Sequence, residues 1–440
     1  MKKHILLCLI AVTATFNLAL SADRFPDGTE ITAWFQESKP ADLEQLGKQY
    51  IVTDYKVLQD SNLLQTDQLQ AVIDLAQQEG GGVIVIPKGT FLSGSLFFRQ
   101  GTHLHLCEGA KLKGSDDISH FKLLETRMEG QTLKYFAALI NADGLDGFTV
   151  SGKGVIDGNG FRYWRSFWLR RQYNPKCTNL EEMRPRLLYV SKSKNIHISD
   201  VSLINSPFWT SHFYKCDKLK VTGIKFIAGT KSLRAPSSDG IDLDVCSNVL
   251  IKNCYFRVDD DGIALKGGKG PTADKDPNNG SNRNILIEDN TFNNCPALTL
   301  GSESVFTQNV IMRRCHMESA YTVFLIKMRP DTPQHHANIL VEDITGSGRS
   351  LVAIRPWTQF FDLQGHPEPF SSAKNITIRN CRVTMDNAFS IAKSDRYELA
   401  QFSFENLHII SSSSHKIQLD FIDSLNFSHV YMNGKVLATL

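Results

Sequence analysis

The chain has 440 residues, of which 48 are Lys or Arg and 46 are Asp or Glu, giving a formal net charge of +2. A charge this balanced gives no reason to expect a nucleic-acid-binding or membrane-binding surface. The length would suit two or three ordinary domains, although repetitive β folds run long as one unit.

The first 22 residues have the pattern of a secretory signal peptide. Lys2 and Lys3 supply a positive start, Ile5 to Phe16 is mostly apolar, and small residues before position 23 suit cleavage. The apolar run is too short for a membrane span, and no later stretch has the pattern of one. We therefore predict an exported protein, periplasmic or secreted, whose mature part is residues 23–440.

Residues 65–78 predict an amphipathic helix, with Leu69, Val72 and Ile73 at helical spacing and a glycine-rich end. Short alternating runs between residues 83 and 106 then predict β-strands. One helix before a set of short strands is typical of a cap that covers the exposed edge of a solenoid.

A glycine-rich stretch at Gly152–Gly160 comes near the GxGxxG spacing of dinucleotide-binding proteins. No convincing strand–helix unit follows it, so we predict tight turns here and no dinucleotide site.

Eight cysteines follow the signal pattern, and none of them forms a CxxC pair. A zinc cluster is therefore not expected. Several lie in strand-like stretches, where buried cysteine behaves as a small hydrophobe. The sequence leaves open whether any of these cysteines form disulfide bonds.

From about residue 184 a motif recurs, in which an asparagine, or once a leucine, precedes alternating apolar residues and a polar turn. The units begin at Asn195, Leu219, Asn248, Asn284, Asn309, Asn338 and Asn375. Such a repeat predicts an all-β parallel β-helix, whose successive coils rise by about 4.8 Å and align equivalent residues along a groove. No linker or low-complexity segment interrupts residues 23–440, so we predict a single domain, and we expect a monomer.

Two acidic clusters lie between residues 237 and 266: Asp239 with Asp242, and Asp259 to Asp261. Asp239 and Asp261 are 22 residues apart, about one coil of a β-solenoid, so the clusters would stack on one face. Asp-Gly pairs are also ordinary turn chemistry. Stacked carboxyl groups raise each other's pKa, which suits a site with one protonated acid and one ionised base. We favour a catalytic site.

The motifs SSDGIDL, DDDGIALK, ALTLGSE and LIK, with the GKGVIDGNG turn, resemble those of glycoside hydrolase family 28, the polygalacturonases and rhamnogalacturonan hydrolases of pectin breakdown. The resemblance covers about residues 65–400. It implies a right-handed, pectin-lyase-like β-helix, a pectic polysaccharide or oligosaccharide substrate, and no metal or cofactor. It also implies that Asp260 is the general acid and that Asp239 and Asp261 hold and activate water.

Two residues of the family motifs are absent. The Gly-His-Gly motif falls at Cys295–Ala297 without its His, and the Arg-Ile-Lys motif falls at Leu325–Lys327 with only its Lys. In polygalacturonases the Arg and Lys are expected to grip the galacturonate carboxylate, whereas rhamnogalacturonan hydrolases also lack the His and Arg. The resemblance implies an inverting hydrolase of α-galacturonosyl linkages, exo-acting if the loop at 267–279 blocks the groove. A rhamnogalacturonan hydrolase or galacturonidase is the alternative.

An acidic sugar needs cations near the aspartates. The candidate substrate-binding residues are Lys327, Lys266, Lys269, Arg329 and Arg355, although each could equally be a solvated surface charge. Trp357 follows Arg355 and offers a ring for a sugar face. Two rival functions, a non-catalytic carbohydrate-binding β-helix and a polysaccharide lyase, share the expected architecture.

Overall fold

The computed structural model describes residues 23–40, 42–413 and 417–437; the predicted signal peptide lies outside them. Within these ranges 31 strands form one continuous sheet that winds into a right-handed parallel β-helix with three faces. The predicted fold class is confirmed. The helices are α1 (Thr66–Gln78) and α2 (Phe161–Tyr173), with 3-10 turns at Ala33–Phe35, Leu43–Leu46, Val52–Tyr55, Ile118–His120 and Ala273–Lys275.

The strands fall into three stacks, each forming one face. Face A contains Gln49–Ile51, Gly82–Ile86, Thr102–Leu106, Thr149–Gly152, Lys194–Ser199, Asp217–Thr222, Ser247–Lys252, Ser281–Glu288, Phe306–Arg313 and His335–Glu342. Face B contains Gly89–Ser93, Ala110–Gly114, Val155–Asp157, Ser202–Ile204, Lys225–Ile227, Tyr255–Arg257 and Thr291–Asn293. Face C contains Leu96–Phe97, Ile140–Asp143, Leu188–Ser191, Ser211–Tyr214, Ile241–Asp244, Ile263–Lys266, Leu298–Leu300 and Phe389–Ile391.

Long strands turn the corners in the later coils. His316–Met328 and Thr345–Pro356 run from face B into face C, and Ser371–Met385, Tyr397–Ser411 and Asn426–Met432 run from face A into face B. Two pairs of strands in the described ranges are antiparallel: Lys435–Val436 returns along Asn426–Met432, and Leu123–Met128 with Gln131–Phe136 forms a separate hairpin. This hairpin is called the crossing hairpin below.

The recurring asparagines mark one corner of the coil. Asn248, Asn284 and Asn309 have positive backbone φ values of 53°, 56° and 59°. Asparagine enters this left-handed region more readily than most residues. The amide Nδ2 of Asn284 donates to Asn248 at 3.1 Å, and that of Asn309 donates to Asn284 at 3.2 Å. The repeat predicted from the sequence therefore corresponds to a ladder of stacked corner residues.

The interior of the coil is an apolar stack in register from coil to coil. The rings of Phe226, Phe256 and Phe292 lie parallel, with centroids 4.7 and 4.8 Å apart. These spacings equal the distance between hydrogen-bonded strands. Each coil therefore fixes the height of the next, and residues at equivalent positions on face C are held about one strand spacing apart.

The N-terminal part of the described chain contains the predicted helix. Leu69, Val72 and Ile73 of α1 are buried, and α1 contacts the first strands of the coil. The predicted helix is confirmed, and its role as a cap over the end of the solenoid stays a prediction.

Residues 23–36, here called the strap, lie against face A. Apolar side chains of the strap and of face A form one small cluster: Phe25, Ile31, Phe35, Leu250, Leu286 and Ile311. Ionic contacts add to it, since Arg313 Nη1 lies 2.6 Å from Asp23 Oδ2. The sequence predicted nothing for this segment.

Helix α2 corrects the prediction of turns alone at Gly152–Gly160. Strand Val155–Asp157 crosses this stretch, and α2 begins directly after it. The helix gives weak sequence signals, because its N-cap is Gly160 without a side-chain hydrogen bond and its residues are largely aromatic or arginine. Tyr163, Trp164 and Phe167 bury one side of α2 against the coil.

The eight cysteines of the described ranges are free, and all except the half-buried Cys107 are buried. The interpretation of most cysteines as small buried hydrophobes is confirmed. Among the helices that the structure describes, none has the length and apolar character needed to cross a membrane.

Candidate active site

Two of the predicted catalytic aspartates occupy equivalent positions in neighbouring coils. On face C, Ile241 pairs with Ile263 in parallel register, so Asp239 and Asp261 each lie two residues before a paired position. The backbone pairing continues to them, because the amide of Gly240 donates to the carbonyl of Asp261 at 2.9 Å. The one-coil offset expected from the sequence is confirmed. Both side chains are buried.

A cavity of about 340 Å³ opens above these aspartates. Its lining includes most of the residues proposed from the sequence: Asp239, Asp260, Asp261, Lys266, Lys269, Lys327, Arg329 and Trp357. Glu303 also lines the cavity. Arg355 is not among the lining residues; it is exposed, with its guanidinium carbon 5.4 Å from the centroid of Trp357.

Other lining residues were missed by the sequence analysis. They are Glu129, Phe167, Trp168, Arg171, Asn179, Trp209, Arg234, Pro236, Ser237, Ser302, Gln359 and Phe360. Several belong to α2 and to the tip of the crossing hairpin, elements that leave the coil and return over face C. These residues reach the cavity only because the two insertions fold back over face C, and no local sequence motif indicates that they do so.

The crossing hairpin closes one end of the groove. At its tip, Gly130 has a φ of +74°, and a Cβ there would lie 2.8 Å from backbone atoms of Gly268 and Lys269. Glycine adopts this φ at little cost, and any other residue would bring its Cβ into collision with this backbone. Beside it, Asn179 Nδ2 donates to Glu129 Oε1 at 2.6 Å, so the tip also meets the segment after α2. The cavity is therefore a pocket on this side.

A buried ion pair fixes the crossing hairpin to face C. Arg127 Nε lies 2.8 Å from Asp244 Oδ2, and both side chains are 1% exposed. Arg127 Nη2 also donates to Asn279 at 2.7 Å, at the end of the loop that the sequence placed beside the aspartates. This loop borders the pocket as expected, but it does so together with the hairpin.

The three consecutive aspartates have different surroundings. Asp261 is held by Lys327 Nζ at 2.6 Å and by the hydroxyl of Thr299 at 2.8 Å. Asp260 lines the pocket and is partly exposed; burial and the charge of Asp261 raise its pKa above the ordinary value. Asp259 instead accepts a hydrogen bond from the backbone of Ala235 at 2.8 Å. When neighbouring carboxyl groups have such different surroundings, one of them can act as an acid while another acts as a base.

Lys266, proposed from the sequence to bind substrate, is surrounded by protein carboxyl groups. Its Nζ lies 3.6 Å from Asp239, 3.5 Å from Asp242 and 3.4 Å from Glu303. Burial, with the charges of Asp242 and Asp260, raises the pKa of Asp239 well above its ordinary value. Burial acts the same way on Glu303, but the charges of Lys266, Arg329 and Lys269 outweigh it and hold the pKa of Glu303 well below normal.

Arg329, also proposed to bind substrate, is likewise paired with a protein carboxyl group. It forms a two-point ion pair with Asp331, with both N–O distances 2.7 Å, and donates to the carbonyls of Gln359 and Phe360 at 3.2 Å. Its structural role is to hold the loop that carries Trp357. Within the described chain, the pocket cations that form no direct ion pair with a carboxylate are Arg171, Arg234 and Lys269.

Across the residues that the structure describes, no group of three or more His, Cys, Asp or Glu side chains is arranged to hold a metal ion.

Most glycoside hydrolases use a pair of carboxyl groups that flank the bond to be cleaved, and this polar pocket contains such groups. The fold and the site together therefore define a β-helical protein of the glycosidase class. The chain belongs to the glycosyl hydrolases family 28, whose family model matches residues 82–427.

Individual relatives agree with this assignment. The chain is 31% identical over 226 residues to a protein of Vitis vinifera named "Probable polygalacturonase", covering 49% of this chain and 44% of that protein. It is 29% identical over 234 residues to an endo-polygalacturonase of Pectobacterium carotovorum subsp. carotovorum, covering 50% and 53%. The chain thus spans about half the length of the curated relatives it matches.

A solved structure also resembles this one. The crystal structure of an exopolygalacturonase from Thermotoga maritima superposes with a TM-score of 0.76 at 20% identity, over 91% of this chain and 94% of that one, and shows the same fold.

Proposed function

We propose that the protein hydrolyses α-galacturonosyl linkages of pectin by a single displacement with inversion at the anomeric carbon. The observation that carries this proposal is the stacking of Asp239 and Asp261 one coil apart, with Asp260 beside them, at the base of a pocket that is closed at one end. The polygalacturonase names of the matched relatives support the substrate class.

In this mechanism Asp260 donates its proton to the glycosidic oxygen as the bond to the anomeric carbon breaks. A water molecule attacks the opposite face, and Asp239 and Asp261 orient it and take up its proton. One water is consumed, and the acid and base recover their protonation states through solvent. Because burial and Asp261 raise the pKa of Asp260, this acid stays protonated at a higher pH than an ordinary aspartic acid.

The closed end of the pocket supports action from a chain end. The crossing hairpin spans the groove and touches the loop that follows Lys266, so a polymer cannot continue past it. A terminal sugar can lie against Glu129 and Asn179, while the rest of the chain leaves towards Lys327 and Trp357. We therefore favour exo action.

The unpaired cations suit the carboxylate of the substrate. Arg171 donates to a backbone carbonyl through Nε at 3.2 Å, which leaves its other donors free, and its guanidinium lies 4.6 Å from the ring of Phe167. Arg234 uses only Nη2, on the carbonyl of Asp259. Lys269 lies near the hairpin tip. In this proposal these cations bind the substrate carboxylate in place of the motif Arg, whose position is occupied by Leu325.

The place of action follows from the signal-like residues 1–22 and the polymeric substrate. We propose that the protein acts after export, in the periplasm or outside the cell, as a single domain and a monomer.

The test of the function is a product profile. The mature protein is incubated with polygalacturonic acid and, separately, with rhamnogalacturonan backbone, and the released sugars are separated by anion-exchange chromatography. We expect monomeric galacturonic acid from the first substrate from the earliest times. Products from the rhamnose-containing backbone alone would favour the alternative substrate, which the absent motif His and Arg also suggest. Ultraviolet-absorbing products would instead indicate a lyase.

Arg171 gives a prediction about substrate charge. We expect Arg171→Gln to raise KM for 4-nitrophenyl α-galacturonide about tenfold with kcat little changed, since a charge-assisted hydrogen bond contributes about 1.5–3 kcal/mol. The same variant should not alter any residual rate on 4-nitrophenyl α-galactoside, which lacks the carboxylate. The matched control is Arg165→Gln, an exposed arginine of the same helix outside the pocket lining. Equal effects of both variants would contradict this role.

A further inference from the structure

Asp242 is a fully buried carboxyl group that has no substrate-facing surface. It is 0% exposed, and neither of its oxygens has a hydrogen-bond partner within the described residues. It lies three residues after Asp239, on the strand Ile241–Asp244. A buried charge without a partner is costly, so a compensating group is required.

Lys266 is that group, and it is shared. Its ammonium has three N–H donors and faces three carboxyl groups at 3.4–3.6 Å, those of Asp239, Asp242 and Glu303. These distances exceed the roughly 2.7–2.9 Å of a tight charged hydrogen bond. The ring of Trp209 lies on a further side, 4.8 Å from Nζ. The ammonium group therefore lies between the three carboxyl groups and does not form a tight pair with any single one of them.

The local charges do not balance. The carboxyl groups of Asp239, Asp242, Asp260 and Asp261 face the ammonium groups of Lys266 and Lys327, whereas Glu303 also faces Lys269 and Arg329. Full ionisation would leave an excess of negative charge in a buried site, which a retained proton relieves. Burial raises the pKa of Asp242 to about 7 against the opposing charge of Lys266, so the Asp239–Asp242 pair is a natural place for that proton.

We propose that Asp242 and Lys266 are positioning residues that act in opposite directions on Asp239 and so control how readily it takes a proton from the attacking water. This inference rests on the proposed function. The negative charge of Asp242 favours a proton on Asp239, and the positive charge of Lys266 disfavours it. Glu303 acts indirectly, because it draws the ammonium of Lys266 away from the two aspartates.

The other groups that face this pair come from neighbouring coils. Asp260, Asp261 and Lys327 lie on the C-terminal side, and Arg186 and His212 lie on the N-terminal side. His212 Nδ1 accepts a hydrogen bond from Arg186 at 2.7 Å, and burial lowers its pKa to about 4, so it is neutral. These groups are unchanged in the variants below, which isolates the contributions of Asp242 and Lys266.

The test compares the pH dependence of kcat/KM in Asp242→Asn and Lys266→Met. Asp239 must be ionised to accept a proton, so its protonation causes the loss of activity on the acid side. Asp242→Asn removes a negative charge, which moves this loss to lower pH. Lys266→Met removes a positive charge, which moves it to higher pH. We expect shifts of about one pH unit in each direction, equivalent to about 1.4 kcal/mol per unit.

Controls separate this role from a purely structural one. Lys266→Arg should restore most of the wild-type profile, and Glu303→Gln, at the edge of the pocket, should move the acid side to lower pH even if the Asp242 variant does not fold. Unchanged pH profiles in folded variants, with only a lower Tm, would overturn the proposal, as would shifts in the same direction. Absence of wild-type activity would instead overturn the proposed function.

Discussion

Asp260→Asn is expected to lower kcat on the pectic substrate by about 100- to 10 000-fold, the range that general acid catalysis contributes. The amide has the shape of the carboxyl group but cannot deliver a proton to the leaving oxygen. Binding should survive, because among the described residues no cation forms a direct ion pair with Asp260, so the change leaves no such pair broken. The measurement is kcat from released galacturonic acid, with calorimetric titration of an oligogalacturonate into the variant.

The chain offers a matched control for this variant. Asp259→Asn changes the neighbouring carboxyl group, which accepts a hydrogen bond from the backbone of Ala235 and does not line the pocket. We expect it to lose stability more than turnover. The assignment of Asp260 as the acid would be wrong if Asp260→Asn kept more than a tenth of the wild-type kcat, or if both variants lost turnover equally.

The second large effect is expected at Lys327. Its Nζ lies 2.6 Å from Asp261 Oδ2, and both side chains are buried. In Lys327→Met the carboxylate of Asp261 loses its counter-charge and the hydrogen bond that holds it in place, so it orients and activates water less well. Breaking a buried ion pair from one side typically costs about 3–5 kcal/mol of stability. We expect kcat to fall about 100-fold, measured beside urea unfolding.

The kinetic constants distinguish this role from substrate binding. A residue that grips the substrate equally in ground and transition states changes KM, whereas one that maintains the base lowers kcat. Lys327→Arg should retain part of the rate, since it keeps the charge. Arg355→Gln is the control, because Arg355 pairs in register with Lys327 on the next coil but is exposed. A rise in KM alone in Lys327→Met would identify a substrate-binding lysine instead.

The coil and the stacking of the aspartates could be predicted because both are periodic in the sequence. The corner position of the asparagine ladder recurs once per coil, with Lys218 in place of asparagine in one coil, since each coil needs a residue with positive φ at the same corner. The 22-residue separation of Asp239 and Asp261 equals one such coil, so their stacking follows from counting residues.

The walls of the pocket could not be predicted, because their contacts join distant parts of the chain. Arg127 meets Asp244 across 117 residues, and no local pattern links them. Arg171 belongs to a helix without a clear N-cap signal. The same limitation affects the roles of Lys266 and Arg329: their type and position suggested substrate binding, but the structure gives each of them protein carboxylates as partners.

The strap has a consequence for the order in which the protein folds. In a solenoid each coil contacts only its neighbours, so coils can form in succession. The strap differs, because Asn309 bonds to Asp27 across 282 residues and Arg313 bonds to Asp23 across 290. It has no surface to dock on until the coils that carry Leu250, Leu286 and Ile311 exist. Contacts between such distant residues form slowly, so the earliest described segment of the chain is among the last to reach its place, after the coils bearing the aspartates are complete.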